Sequence, residues 1–307
     1  EYPDVDTVPK VWHSESAQAL LLLAGGMSLF DSLCHTFGTV STSGYSPYNA
    51  SLGHYDSAYF DWVVIVFMFL GGVSFVLFYW VARGDWQALG INTEIRWYIG
   101  FVLIICGVVS CILWQNGAYG FADSVRYGTF QVMSLLTTTG FTTADYEVWP
   151  NAAQMFLYIA CFVGACAGST TSGIKIVHYA IICKFMGAVI RKIFFRPLAV
   201  VSVRLDGHRI DQAVIHLALC YFVVNIFLVL AGGCFMALVD DLDIQTAMSS
   251  VIATLMNVGP GWGGVGPTKN FAFISDTGKW FLSFMMLVGR LEMFTPLVLF
   301  YPSFWKK

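Results

Sequence analysis

Five apolar runs constrain this chain more than any other feature: residues 62–82, 97–114, 152–186, 210–239 and 277–301. A helix needs about 20 largely apolar residues to cross the hydrocarbon core of a bilayer, and each run approaches or exceeds that length. Across 307 residues only 11% are charged, against about 25% in a soluble domain, so there is too little charge to solvate a globular surface. The hydrophobic share of 57% and the mean hydropathy of +0.68 exclude a disordered chain. The 26 Phe, 14 Tyr and 10 Trp suit a lipid-facing surface with aromatic residues at its interfaces. The expected fold is therefore an all-α polytopic membrane protein, with the lipid bilayer as its partner. A net charge of −3 lacks the basic excess that a nucleic-acid partner requires.

Between the long runs lie shorter apolar segments, at residues 17–40, 124–136 and 244–256, too short to cross or interrupted by small and polar residues. Such segments predict re-entrant or buried helices. Residues 184–209 hold Lys184, Arg191, Lys192, Arg196, Arg204 and Arg209 against the single acid Asp206, which marks a cytoplasmic loop. The acid-weighted loops, with Asp123, Asp145 and Glu147 and then Asp240, Asp241, Asp243 and Asp276, fall outside. Alternation then places residues 83–96 and the terminal Lys306 and Lys307 in the cytoplasm. A first residue of Glu with no leader ahead of it reads as a piece of a longer chain. The eight cysteines lack CxxC or Cys/His ligand spacing and read as small buried hydrophobes.

An internal repeat orders these segments. The three short ones end alike, at Thr36-Phe-Gly-Thr-Val-Ser-Thr-Ser-Gly44-Tyr, Val132-Met-Ser-Leu-Leu-Thr-Thr-Thr-Gly140-Phe and Val251-Ile-Ala-Thr-Leu-Met-Asn-Val-Gly259-Pro. Each is a half-helix, a small polar run and a glycine, followed by an outer loop and a helix that returns inward. The unit of spanning helix, re-entrant helix, loop and spanning helix occurs twice in full and once without its first helix. Its predicted boundaries are 1–96 for a partial unit, then 97–205 and 206–307.

Irregular backbone is tolerated at membrane depth only where protein buries it or where it lines a watery cavity. Three such loops entering from one side should meet around a common axis. A ring of backbone carbonyls can replace the hydration shell of a cation, and glycine reaches the angles that turn successive carbonyls inward. The half-helices point their partially negative C-terminal ends at that axis. The candidate cation-binding residues are Thr42, Ser43 and Gly44; Thr138, Thr139 and Gly140; and Asn257, Val258 and Gly259.

These motifs resemble the second, third and fourth pore repeats of the Trk/Ktr/HKT potassium-transporter superfamily. The run Ala165-Cys-Ala-Gly-Ser-Thr-Thr-Ser-Gly-Ile-Lys175 and the stretch Gly289-Arg-Leu-Glu-Met-Phe-Thr295 look closest to its bacterial TrkH-type subunit. The resemblance implies repeated units around a pseudo-fourfold cation pore and potassium uptake across the plasma (inner) membrane, with K+ as cargo and no cofactor. It further implies a homodimer and a cytoplasmic nucleotide-binding regulatory subunit. A complete family pore has four filter loops, of which this chain carries three. A sodium-selective member of the same superfamily is the alternative reading.

On residues alone, Gly168, Ser169, Thr170, Thr171, Ser172 and Gly173 allow two readings: close helix packing through small residues, or a break in the 152–186 run. The resemblance implies an intramembrane gate. Lys175 either repels a cation at this gate or snorkels inward. Arg290 stands 13 residues into a run that begins at Thr277, which puts it roughly 20 Å deep. A buried Arg needs a partner; Glu292 at i+2 lies on another helix face, so carbonyls near residues 169–173 are the expected acceptors. An intramembrane serine hydrolase using Ser41 or Ser43 with His178 or His216 is the rival from another class. A nucleophile needs one activated copy, whereas this element is repeated.

Overall fold

A computed structural model describes residues 8–87, 90, 92–194, 203–291, 293–299 and 301–305. The helices run α1 Val8–Ala24, α2 Leu29–Val40, α3 Ala58–Gly71, α4 Phe75–Ala82, α5 Thr93–Gln115, α6 Phe121–Leu136, α7 Asn151–Phe162 and α8 Ile176–Phe194. A short antiparallel hairpin follows, β1 Arg204–Leu205 with β2 His208–Arg209. Then come α9 Gln212–Asp240, α10 Ile244–Leu255, α11 Asp276–Arg290, α12 Phe294–Val298 and α13 Pro302–Trp305.

The repeat is visible in the packing. A first helix lies against each short helix (α1 on α2, α5 on α6, α9 on α10), and each short helix contacts the helix that returns after it. Residues 17–40, expected as one short segment, form two helices separated at residues 25–28. Gly26 turns the chain there with φ 97°, and Ser28 caps α2 by accepting the Asp31 N–H at 3.1 Å. The first unit thus has a helix ahead of its short one, where the repeat pattern anticipated none.

The five expected spans need a second correction. Among the described residues only α5 and α9 are single helices long and apolar enough to cross a bilayer. The other three runs, all returning helices, are broken. The 62–82 run bends by 96° between α3 and α4. The 152–186 run opens into a loop over residues 163–175, and the 277–301 run breaks after Arg290. Hydropathy averages over such breaks because the residues on either side stay apolar. The local signals are small: Gly71 and Gly72 ahead of Ser74, and a left-handed Met293 (φ 39°) ahead of Pro296.

The second and third short helices lie deepest. Every residue of α6 from Phe130 to Leu136 is buried, as is nearly all of α10 after Thr246. Arg126 braces α6 to the start of α3, with Nε 2.5 Å from the buried Asp61 and Nη2 3.2 Å from Asp56. Asp243 caps α10; the Thr246 hydroxyl and backbone N–H hold its carboxyl below the usual carboxylate range. Of the cysteines, Cys106, Cys161 and Cys166 are buried as expected, while Cys111, Cys183, Cys220 and Cys234 are exposed, at positions where apolar surface faces outward.

Candidate functional site

All three short helices end in the same backbone turn. The residue after the helix cap is left-handed in each, at Thr42 (φ 51°), Thr138 (φ 54°) and Asn257 (φ 56°). Its N–H bonds three residues back, to Thr39 O, Leu135 O and Thr254 O, each at 3.1 Å. The next N–H reaches five back, from Ser43 to Gly38 O (2.9 Å), Thr139 to Ser134 O (2.9 Å) and Val258 to Ala253 O (2.8 Å). This is the Schellman termination, and the glycine that follows adds a second donor to the same carbonyl at 3.2, 3.2 and 3.3 Å. Gly44, Gly140 and Gly259 are also left-handed, with φ of 63°, 83° and 101°.

The loops also meet in rotation. A Cβ at Gly44 would collide with the carbonyl oxygen of Thr139, and a Cβ at Gly140 with the carbonyl oxygen of Val258. In both cases the glycine of one loop faces the residue just before the glycine of the next. Each outer loop braces the following turn as well. Thr142 N–H donates to Ser51 Oγ (3.2 Å) and Gly53 N–H to Thr142 O (3.1 Å). One unit on, Tyr146 Oη donates to Gly261 O (2.9 Å) and Gly263 N–H to Glu147 Oε1 (2.5 Å).

The hydroxyls of Ser41, Ser43, Thr137 and Thr139 are used locally. Thr137 Oγ1 donates to Met133 O (2.6 Å) and meets Thr139 Oγ1 (2.8 Å). Ser41 Oγ likewise donates to Phe37 O (2.6 Å) and meets Ser43 Oγ (2.9 Å). His178 is elsewhere, stacked on Tyr221 with ring centroids 4.9 Å apart, and His216 is exposed. Ser41 and Ser43 bond each other, and the Ser/His contact that does form is His35 Nε2 with Ser46 Oγ at 3.1 Å, a different pair from the one a hydrolase reading expects.

Residues 163–175 form a loop closed at its neck by a parallel bridge between Val163 and Ile174, with Gly164 N–H donating to Ile174 O at 2.9 Å. The loop sits where the broken helices converge. Cys166 N–H donates to Gly72 O (3.0 Å) and Phe75 N–H to Gly168 O (3.1 Å), so the loop plugs into the bend between α3 and α4. It also touches the turns. Thr42 Oγ1 donates to Thr170 O (3.0 Å), and Ser172 N–H donates to Thr138 Oγ1 (2.9 Å). From the third break, Arg290 Nη1 donates to Thr170 O (2.8 Å) and Ser172 Oγ (3.1 Å). Lys175 Nζ folds back onto Thr171 O and Thr171 Oγ1. A cavity of ≈ 210 Å³ is lined by residues 168–173 with Lys175, Tyr221, Gly289 and Arg290.

A cation-transport family model, TrkH, matches residues 11–307. The chain belongs to the TrkH family. Relatives include the Trk system potassium uptake protein TrkH of Halomonas elongata, 35% identical over 295 residues, covering 94% of this chain and 59% of the relative. The Escherichia coli protein of the same name is 32% identical over 300 residues, covering 95% of this chain and 60% of its own length. A crystal structure of the potassium transporter TrkH from Vibrio parahaemolyticus superposes with a TM-score of 0.90 at 29% identity, covering 98% of this chain and 65% of that one. The chain spans about three-fifths of the length of these curated relatives, which are membrane transporters and not enzymes.

Within this TrkH-family chain the three turns, the loop and Arg290 come together as one assembly. Asn257 departs from the other two left-handed residues: its Nδ2 donates to Met286 O (3.1 Å) in α11 and makes no bond to the loop. Arg290 ends α11 instead of standing inside a continuous helix, and is exposed. Glu292, Lys306 and Lys307 lie outside the described residues. Sequence reasoning missed the left-handed residues, because a Schellman turn ordinarily places glycine at that position and here glycine comes two residues later. It also missed Glu94, whose Oε1 accepts the Ala167 N–H at 2.5 Å from another helix.

Proposed function

We propose that this chain forms three walls of a potassium-uptake pore in the plasma (inner) membrane, with carbonyls of residues 42–44, 138–140 and 257–259 along the cation axis. The observation that carries this reading is the thrice-repeated Schellman turn whose glycines pack against the next turn in rotation. That arrangement brings backbone carbonyls from successive loops together while the hydroxyls of Ser41, Thr137 and Thr139 are occupied elsewhere. The C-terminal dipoles of α2, α6 and α10 then favour a cation over an anion. Potassium as cargo follows the names of the relatives. The units 1–96, 97–205 and 206–307 each supply one filter loop.

Residues 168–173 act as a gate beneath the filter, with Arg290 and Lys175 as its cationic braces. A guanidinium held on Thr170 O both opposes a passing cation and keeps the loop in place. The family resemblance supports a homodimer, a nucleotide-binding regulatory subunit on the cytoplasmic face, and a cytoplasmic C-terminus. The test is paired Rb+ and Na+ flux through the reconstituted full-length protein. Rb+ should be preferred; equal fluxes or a Na+ preference would overturn the potassium assignment in favour of a sodium-permeable member.

A further inference from the structure

Glu94 belongs to neither the filter nor the loop, yet it holds the loop at its entry foot. It stands in the first turn of α5, and its Oε1 accepts the Ala167 N–H at 2.5 Å where the chain enters the loop. The two feet are tied to each other: the Ile176 N–H, where the chain leaves the loop, donates to Ala165 O at 3.2 Å, where it enters. One charge-assisted contact to the entry foot, with the exit foot joined to it, makes a clasp.

The helix that carries Glu94 is itself fixed from the basic side. The Thr93 N–H donates to Asp206 Oδ1 at 2.7 Å, and the Ile95 N–H donates to Asn92 Oδ1 at 3.0 Å. Asp206 sits at the left-handed turn between β1 and β2, with φ 48°, and is exposed. The path from hairpin to loop is therefore Asp206 carboxylate, first turn of α5, Glu94 carboxylate, loop feet.

We propose that Glu94 is a positioning residue for the intramembrane loop, and that Asp206 transmits the placement of the hairpin to the loop through it. This rests on the gate reading of residues 168–173. Loss of the clasp frees the feet while the filter turns keep their own bonds, so conduction rises and selectivity does not change.

The experiment uses the full-length protein in proteoliposomes, with Glu94→Gln, Asp206→Asn and the pair, alongside a variant with the 168–173 loop shortened. Glu94→Gln should raise basal Rb+ flux about tenfold, the effect of weakening one hydrogen bond to a charged group, at an unchanged Rb+/Na+ ratio. Hydrogen exchange should accelerate at the Ala167 amide and stay unchanged in α6. Asp206→Asn should move both readouts the same way but less, and the double variant should fall short of the product of the singles. Unchanged flux, unchanged exchange at that amide, or an altered Rb+/Na+ ratio in Glu94→Gln would each overturn the proposal. If the shortened loop raises flux and Glu94→Gln does not, only the clasp fails; if neither does, the gate reading fails with it. Should Glu94→Gln not insert, Asp206→Asn on the exposed hairpin carries the same two expected readouts.

Discussion

Gly140→Ala in the full-length protein is expected to lower Rb+ flux about 100-fold or more, which corresponds to losing roughly 2.7 kcal/mol at the ion path. Two effects act together. A left-handed alanine costs about 1–2 kcal/mol where glycine pays nothing, and Gly140 has φ 83°. The added methyl would also overlap the Val258 carbonyl oxygen, and Pro260 Cδ lies 3.2 Å away on the same side. The neighbours are backbone and a proline ring, so no flexible side chain can yield. The displaced atom is one of the carbonyls assigned to the cation, so the strain falls on the path itself. Thr139→Val serves as the contrast. Its hydroxyl meets Thr137 Oγ1 at 2.8 Å and the side chain is buried, so flux should change by less than about threefold. Rb+ uptake with immunoblot of the inserted protein separates the two variants. Wild-type flux and ion preference in Gly140→Ala would remove the turn from the pathway.

Arg290→Gln is expected to raise Rb+ flux between about tenfold and 100-fold, the range for losing a hydrogen bond from a charged donor. The guanidinium shares the Thr170 carbonyl with the Thr42 hydroxyl and adds a bond to Ser172 Oγ. Its removal takes away both the brace and a fixed positive charge beside the ≈ 210 Å³ cavity. Shortening the loop within residues 168–172 should also raise flux. Because Arg290 acts through that loop, the combined variant should conduct less than the product of the two single effects. Strict additivity in log flux, measured at matched protein density in vesicles, would show two independent sites.

How much of this was readable beforehand depended on the range of each signal. The short helices and their Gly termini are local patterns, and the sequence placed α6 and α10 within a few residues. Arg290 was readable because a basic residue deep in an apolar run must find acceptors, and few polar carbonyls lie at its depth. The breaks at residues 72–74 and after Arg290 were not, since a bend of 96° leaves the hydropathy of Phe75 to Val81 untouched. The helix ahead of α2 was obscured because Ala17 to Val40 reads as one interrupted apolar segment, and the turn at Gly26 and Ser28 is only four residues wide. Glu94 was hidden for a different reason. It lies 73 residues from Ala167, and nothing in its neighbourhood marks it as other than a first-turn carboxylate on a helix.

Whether carbonyls of the three turns bind the transported cation is decided by an anomalous difference map from crystals of the full-length protein grown in RbCl. Peaks are expected on the axis between Gly44, Gly140 and Gly259, each within coordinating distance of carbonyl oxygens from residues 42–44, 138–140 and 257–259. Rubidium peaks bound elsewhere, with none between those turns, would contradict such binding.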